Sequence, residues 1–213
     1  MKRHDGILAI GIILAVLIFD QAVKIAIKTH FMLGEEVAVF GDWFKLHFVE
    51  NNGMAFGMEI GSGDWGKMAL TIFRIVAVIA IGYFIYKLCN REKPVSKMLL
   101  VCVSLVWAGA FGNIIDSLCY GVIFDSSWGQ VATLFPENGG YSTWLHGRVV
   151  DMLYFPLIEG SFPSWMPIWG GERFVFFHPV FNIADAAISV GMAMAILFCN
   201  KELSAEFESE EKR

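Results

Sequence analysis
The chain has 213 residues and a formal net charge of −5 at neutral pH, with 56% of residues hydrophobic and only 17% charged. With a mean hydropathy of +0.56, it carries more apolar surface than a soluble domain of this size can hide, so an integral membrane protein is expected. No basic patch with interleaved aromatics occurs, which excludes a nucleic-acid partner, and the acidic excess gathers in the polar tail from Glu202 to Arg213.

Four apolar segments are long enough to cross a hydrocarbon core of about 30 Å, which takes about 20 helical residues. The first is residues 6–27. A cleaved signal peptide is the competing reading, but the apolar run continues past Asp20 to Ile27 with no clear small-residue cleavage site. Next come an outer segment at 28–68 and a second helix at 69–88. Within that outer segment, the aromatic and β-branched alternation from Ala38 to Val49 predicts short strands. Arg74, just inside the second helix, is expected to snorkel towards the outer headgroups and is given no catalytic role.

The third helix is expected at 98–120 and the fourth at 180–200, with Pro179 in its first turn. Between them, residues 121–179 carry Trp128, Trp144, Trp165 and Trp169 among Gly and Pro, a composition suited to the headgroup region. The expected fold is therefore an all-α membrane protein, a single domain of four transmembrane helices with a small extracytoplasmic β platform and interfacial loops. Lys2 and Arg3 precede the first helix, Lys87, Arg91, Lys93 and Lys97 surround the link between the second and third, and Lys201 follows the fourth. By the positive-inside rule both termini and that link are cytoplasmic, and the two long connections lie outside.

Polar residues interrupt these helices at matching depth. Asp20 and Lys24 are four apart and can pair on one helix face. Asn113 and Asp116 are three apart, and Asn182, Asp185 and Ser189 form a polar stripe. Lone Asn or Asp residues in membrane helices often serve only as interhelical glue, the bland reading for Asp20, Asn113, Asp116 and Asn182. Asp151 and Asp185 have no basic residue at helical spacing to neutralise them, and they suggest an acid/base pair. The four cysteines and five histidines show no metal-type spacing.

Five motifs in order then resemble a known family. Asp20-Gln21-Ala22-Val23-Lys24 resembles D-Q-x-x-K, and Asn51-Asn52-Gly53-Met54-Ala55-Phe56 resembles an N-x-G-x-A-F segment. Gly112-Asn113-Ile114-Ile115-Asp116 resembles G-N-x-x-D, Val149-Val150-Asp151 resembles V-V-D, and Phe181-Asn182-Ile183-Ala184-Asp185 resembles F-N-x-A-D. Together they resemble the lipoprotein signal peptidases, the signal peptidase II type of intramembrane aspartic protease.

The resemblance implies that Asp151 and Asp185 are the catalytic dyad. Asp20, Lys24, Asn51, Gly53, Asn113, Asp116 and Asn182 would support them or contact substrate. It implies diacylglyceryl-modified prolipoprotein substrates cleaved before the lipidated cysteine, membrane lipids as surroundings, no metal or organic cofactor, and a bacterial inner-membrane location. A monomer is expected. Ser117 stands where the family usually has arginine, so Arg148 or Arg173 is expected to supply a charge for Asp116. The segment 121–146 is expected to close over the site as a lid. An ion transporter is the rival reading, but the carboxylates gather at one end of the helices rather than along a path. A non-enzymatic assembly protein would tolerate Asp→Asn at 151 and 185.

Overall fold
The apolar runs predicted as spans are helical in the computed structural model, which describes residues 3–52, 64–91, 96–176 and 179–204. Helix α1 is Arg3–Lys28, α2 is Asp64–Asn90 and α3 is Lys97–Ile115. A π turn, Asp116–Tyr120, and a last helical turn α4, Gly121–Ile123, continue α3. Three stretches, His4–Lys28, Thr71–Asn90 and Lys97–Ile123, are long and apolar enough to cross a membrane. Helix α5, Ile183–Phe198, is equally apolar but has 16 residues.

The short α5 departs from the expectation of a helix from residue 180 with Pro179 in its first turn. Asn182 ends an extended segment and caps the helix. Its side chain accepts from the Asp185 N–H, and the Asp185 side chain accepts from the Asn182 N–H in return. This reciprocal box satisfies two donors that a helix start would otherwise leave unpaired. Residues 180 and 181 are thereby free to act as a strand.

The strands predicted between Ala38 and Val49 join two that were not predicted in a four-stranded antiparallel sheet, its strands side by side in chain order. Its members are β1 Glu36–Phe40, β2 Phe44–Asn51, β3 Val149–Tyr154 and β6 Val180–Phe181. A separate hairpin of β4, Ile158–Ser161, and β5, Arg173–Phe176, was not foreseen. Under the sheet, Phe48, Val150 and Met152 pack with Ile27, Tyr120, Phe124 and Ala132, all buried. The sheet thus rests on the ends of α1 and α3 rather than standing apart from the bundle. Trp128, Trp144, Trp165 and Trp169 are all exposed, as apolar side chains with a polar tip are when they face an interface.

Helices α3 and α5 pack most closely. A Cβ on Gly109 would stand 2.2 Å from the Ala184 carbonyl oxygen, so only glycine allows the two backbones to touch there. This contact sets the start of α5, and with it Asp185, against the end of α3.

Candidate active site
Asp151 lies in the middle of β3 and is 3% exposed. The β2–β3 register pairs Val49 with Asp151 and Asn51 with Val149. Asn51 and Asp151 are therefore diagonal neighbours on one face of the sheet, and Asn51 Nδ2 donates to Asp151 Oδ2 at 3.1 Å. On the other side β3 pairs with β6, Leu153 opposite Phe181, which brings the next residue, Asn182, up to Asp151.

Asn182 binds both carboxylates. Its Nδ2 donates to Asp151 Oδ1 at 2.7 Å, and its backbone N–H donates to Asp185 Oδ2 at 3.4 Å. Asn113 closes the ring from α3: its Oδ1 accepts from Asn182 Nδ2 at 3.1 Å, and its Nδ2 donates to Asp185 Oδ1 at 2.8 Å. Two amides thus tie together two carboxyl groups from different elements. Asp185 is half-buried, unlike Asp151, so the pair has one open side. Burial, and then the charge of Asp185, push the Asp151 carboxyl up to about 7.

Behind this ring sits a second, fully buried layer. Lys24 Nζ lies 2.9 Å from each of Asp20 Oδ2, Asp116 Oδ2 and Asn113 Oδ1. Three acceptors match the three donors of an ammonium. Asp20 Oδ1 accepts from the Ala184 N–H at 2.9 Å and Asp116 Oδ2 from the Val150 N–H at 3.2 Å. The cluster therefore fastens α5 and β3 to α1 and α3. The Asp116 backbone is closely approached as well, since a Cβ on Gly147 would stand 2.0 Å from its carbonyl oxygen.

The charge partner of Asp116 is therefore Lys24, not Arg148 as expected. Arg148 Nη1 donates to Glu50 Oε2 at 3.2 Å instead. The Arg173 side chain and Gly53 lie outside the described residues. Ser189 is exposed and leaves the polar stripe to Asn182 and Asp185.

Gln21 was missed as a site residue. It donates to Asp116 Oδ1 at 2.9 Å and accepts from the Tyr120 hydroxyl at 3.1 Å; its place inside D-Q-x-x-K was the available signal. A third cluster was missed altogether: buried Lys28 pairs with Glu50, and both bond Ser127. Burial alone would raise the Glu50 carboxyl, but Lys28, Ser127 and Arg148 outweigh it and hold it below the ordinary range. Lys28 also faces the rings of Phe124 and Tyr141 at 5.3 and 5.0 Å. The segment 121–146 is thus anchored to the end of α1 and to β2.

Residues 12–200 match the family described as signal peptidase (SPase) II. The chain belongs to the signal peptidase II family. It is 54% identical to a lipoprotein signal peptidase of Porphyromonas gingivalis over 198 residues, 92% of this chain and 84% of that relative. A lipoprotein signal peptidase of Amoebophilus asiaticus is 38% identical, over 88% of this chain and 75% of its own length. Among solved structures, a bacterial membrane enzyme determined by the in meso method at 2.3 Å resolution matches with a TM-score of 0.61 and 27% identity, covering 92% of this chain and 90% of that one. Membership in the signal peptidase II family makes this chain a bacterial membrane protease of the aspartic type. Among the described residues no group of His, Cys, Asp and Glu has the arrangement of a metal site.

Proposed function
We propose that Asp151 and Asp185 form the catalytic dyad of a prolipoprotein signal peptidase, cleaving diacylglyceryl-modified precursors immediately before the lipidated cysteine. The observation that carries this reading is the ring Asp151–Asn182–Asn113–Asp185. Two carboxyl groups held by shared amides cannot comfortably both ionise, so the pair retains one proton near neutral pH. The apparent pKa values belong to the pair. The ionised member takes a proton from water, which attacks the scissile carbonyl. The protonated member donates to the carbonyl oxygen, and a proton then passes to the leaving amine.

The amides hold the carboxylates in place, and Lys24 pairs with Asp20 and Asp116 behind them. The edge of the platform near Asn51 receives the extended peptide, while the acyl chains stay in lipid. The anchored segment 121–146 covers the site. Helix α5 is the fourth span. Sixteen residues reach about 24 Å, short of the bilayer core, because residues 180–182 continue the chain as strand and cap. This sets the dyad slightly below the outer surface of the cytoplasmic membrane, with both termini in the cytoplasm. The protein acts as a monomer.

The test is a gel-shift cleavage assay on a lipidated precursor with the parent enzyme, Asp151→Asn and Asp185→Asn. Each variant is expected to fold and to lose turnover; turnover retained by either sinks the dyad. Equal cleavage of a precursor without the diacylglyceryl group sinks the substrate assignment alone.

A further inference from the structure
The charge balance around the dyad is uneven. Four carboxyl groups converge there: Asp20 from α1, Asp116 from the end of α3, Asp151 from β3 and Asp185 from α5. One ammonium, Lys24, joins them, and it is engaged by Asp20 and Asp116. The nearby cations Lys28 and Arg148 are both committed to Glu50. Ser117, directly after Asp116, adds no charge; its Oγ donates to the Asn113 carbonyl at 3.0 Å.

Helix α2 supplies another cation. Its bundle-facing stripe is marked by buried Thr71, Val78, Ile85 and Leu88, while Ile72, Phe73, Val76 and Ile79 are exposed. Arg74, half-buried, falls on that stripe three after Thr71 and four before Val78. Depth along the bundle is set by Trp107, whose Nε1 donates to the Val78 carbonyl at 2.9 Å and whose ring stacks on Phe111 at 4.9 Å. Helices α2 and α3 run antiparallel, so one turn before Val78 on α2 lies level with Phe111, just below Asn113. A residue at that height facing the bundle is turned towards the dyad rather than towards headgroups.

We propose that Arg74 is a positioning residue of the reaction: facing the Asp185–Asp151 pair from α2, its fixed charge keeps one member a carboxylate, ready to take a proton from water. This rests on the dyad reading above. The other charged groups facing the pair, Asp20 and Lys24 from α1 and Asp116 from the end of α3, sum to one negative charge when ionised. They disfavour that carboxylate, and Arg74 opposes them.

The experiment is a pH–rate profile of lipidated-precursor cleavage by the purified full-length enzyme, for the parent, Arg74→Met and Arg74→Lys, from pH 4.5 to 8.5. Arg74→Met is expected to move the acid limb of kcat/KM upward by about one pH unit, the size of effect a partly screened unit charge has at close range. Its rate then falls about tenfold near pH 6 and recovers by pH 8, while Arg74→Lys stays close to the parent. An unmoved limb in active Arg74→Met, or a limb displaced equally by Arg74→Lys, overturns the proposal. If Arg74→Met does not fold, Arg74→Gln is read in the same way. Turnover retained by Asp151→Asn or Asp185→Asn would instead remove the dyad reading, so the two failures are distinguishable.

Discussion
Asn182 Nδ2 donates to Asp151 Oδ1 at 2.7 Å, while the same residue caps the helix that carries Asp185. One side chain thus sets a helix start and the spacing of two acids on different elements. The two duties are separable. Asn182→Ser keeps an oxygen for the cap but loses the Nδ2 donor, so it should melt close to the parent and turn over roughly 10–100-fold more slowly, the effect of misplacing a reacting group by about 1 Å. Asn182→Ala loses both, and should also lose about 1 kcal/mol of stability. Thermal melts beside single-turnover rates check this; an Asn182→Ser enzyme at parental rate contradicts the bridging role.

Lys24 calls for a different outcome. It is fully buried among Asp20, Asp116 and Asn113. Removing it in Lys24→Met leaves two buried carboxylates without their cation, a change that costs about 3–5 kcal/mol. The variant should fail to accumulate or should melt far below the parent. Lys24→Arg should not restore it, because a planar fork cannot meet three acceptors arranged around a point charge. Recovery of normal melting by Lys24→Arg would refute this account of the site.

How much of this was legible follows from the range of each interaction. Asp20 and Lys24 pair through a spacing of four on one helix, visible in the sequence as written. Asn113, Asp116, Asn182 and Asp185 were visible as polar breaks in apolar runs, but their partners were not, because the ring joins α3, β3 and α5 across 31 or more positions. The start of α5 was misjudged because apolar Val180 and Phe181 suit a strand and a helix equally; the Asn182 cap and the pairing with β3 decide it. Arg148 was expected beside Asp116, yet Glu50, contributed by the neighbouring strand, takes it. The same distance in sequence hid the Lys28–Glu50–Ser127 cluster, and a π turn has no composition that announces it.

Glycine contacts between α3 and α5 give a prediction about packing. In Gly109→Ala the new methyl would stand 2.2 Å from the Ala184 carbonyl oxygen, a backbone atom that cannot step aside without moving α5. A loss of about 1–3 kcal/mol is expected. Turnover should drop as well, because Ala184 adjoins Asp185. Gly11→Ala is the control: nothing lies within 4 Å of its added Cβ, and in a helix interior alanine should be neutral or stabilising by up to about 1 kcal/mol. Equal melting of the two variants would show that α3 and α5 are not held in close backbone contact.

The last prediction concerns pH, and its two windows have opposite signs. Asp151 is raised to about 7 by burial and by Asp185. Its stabilising contribution is therefore complete below the ordinary carboxylate value of about 4 and lost as pH rises through about 7. Glu50 is held low by Lys28, Ser127 and Arg148 against its burial. Its contribution is present above the ordinary value and lost as pH falls below it. The melting temperature should accordingly peak at about pH 4 to 5, where the Glu50 contribution is nearly complete and that of Asp151 has only begun to fall, and decline on both sides. Asp151→Asn should flatten the decline towards pH 8, whereas Glu50→Gln should flatten the acid side only. A neutral limb unchanged in Asp151→Asn would contradict a raised Asp151 carboxyl.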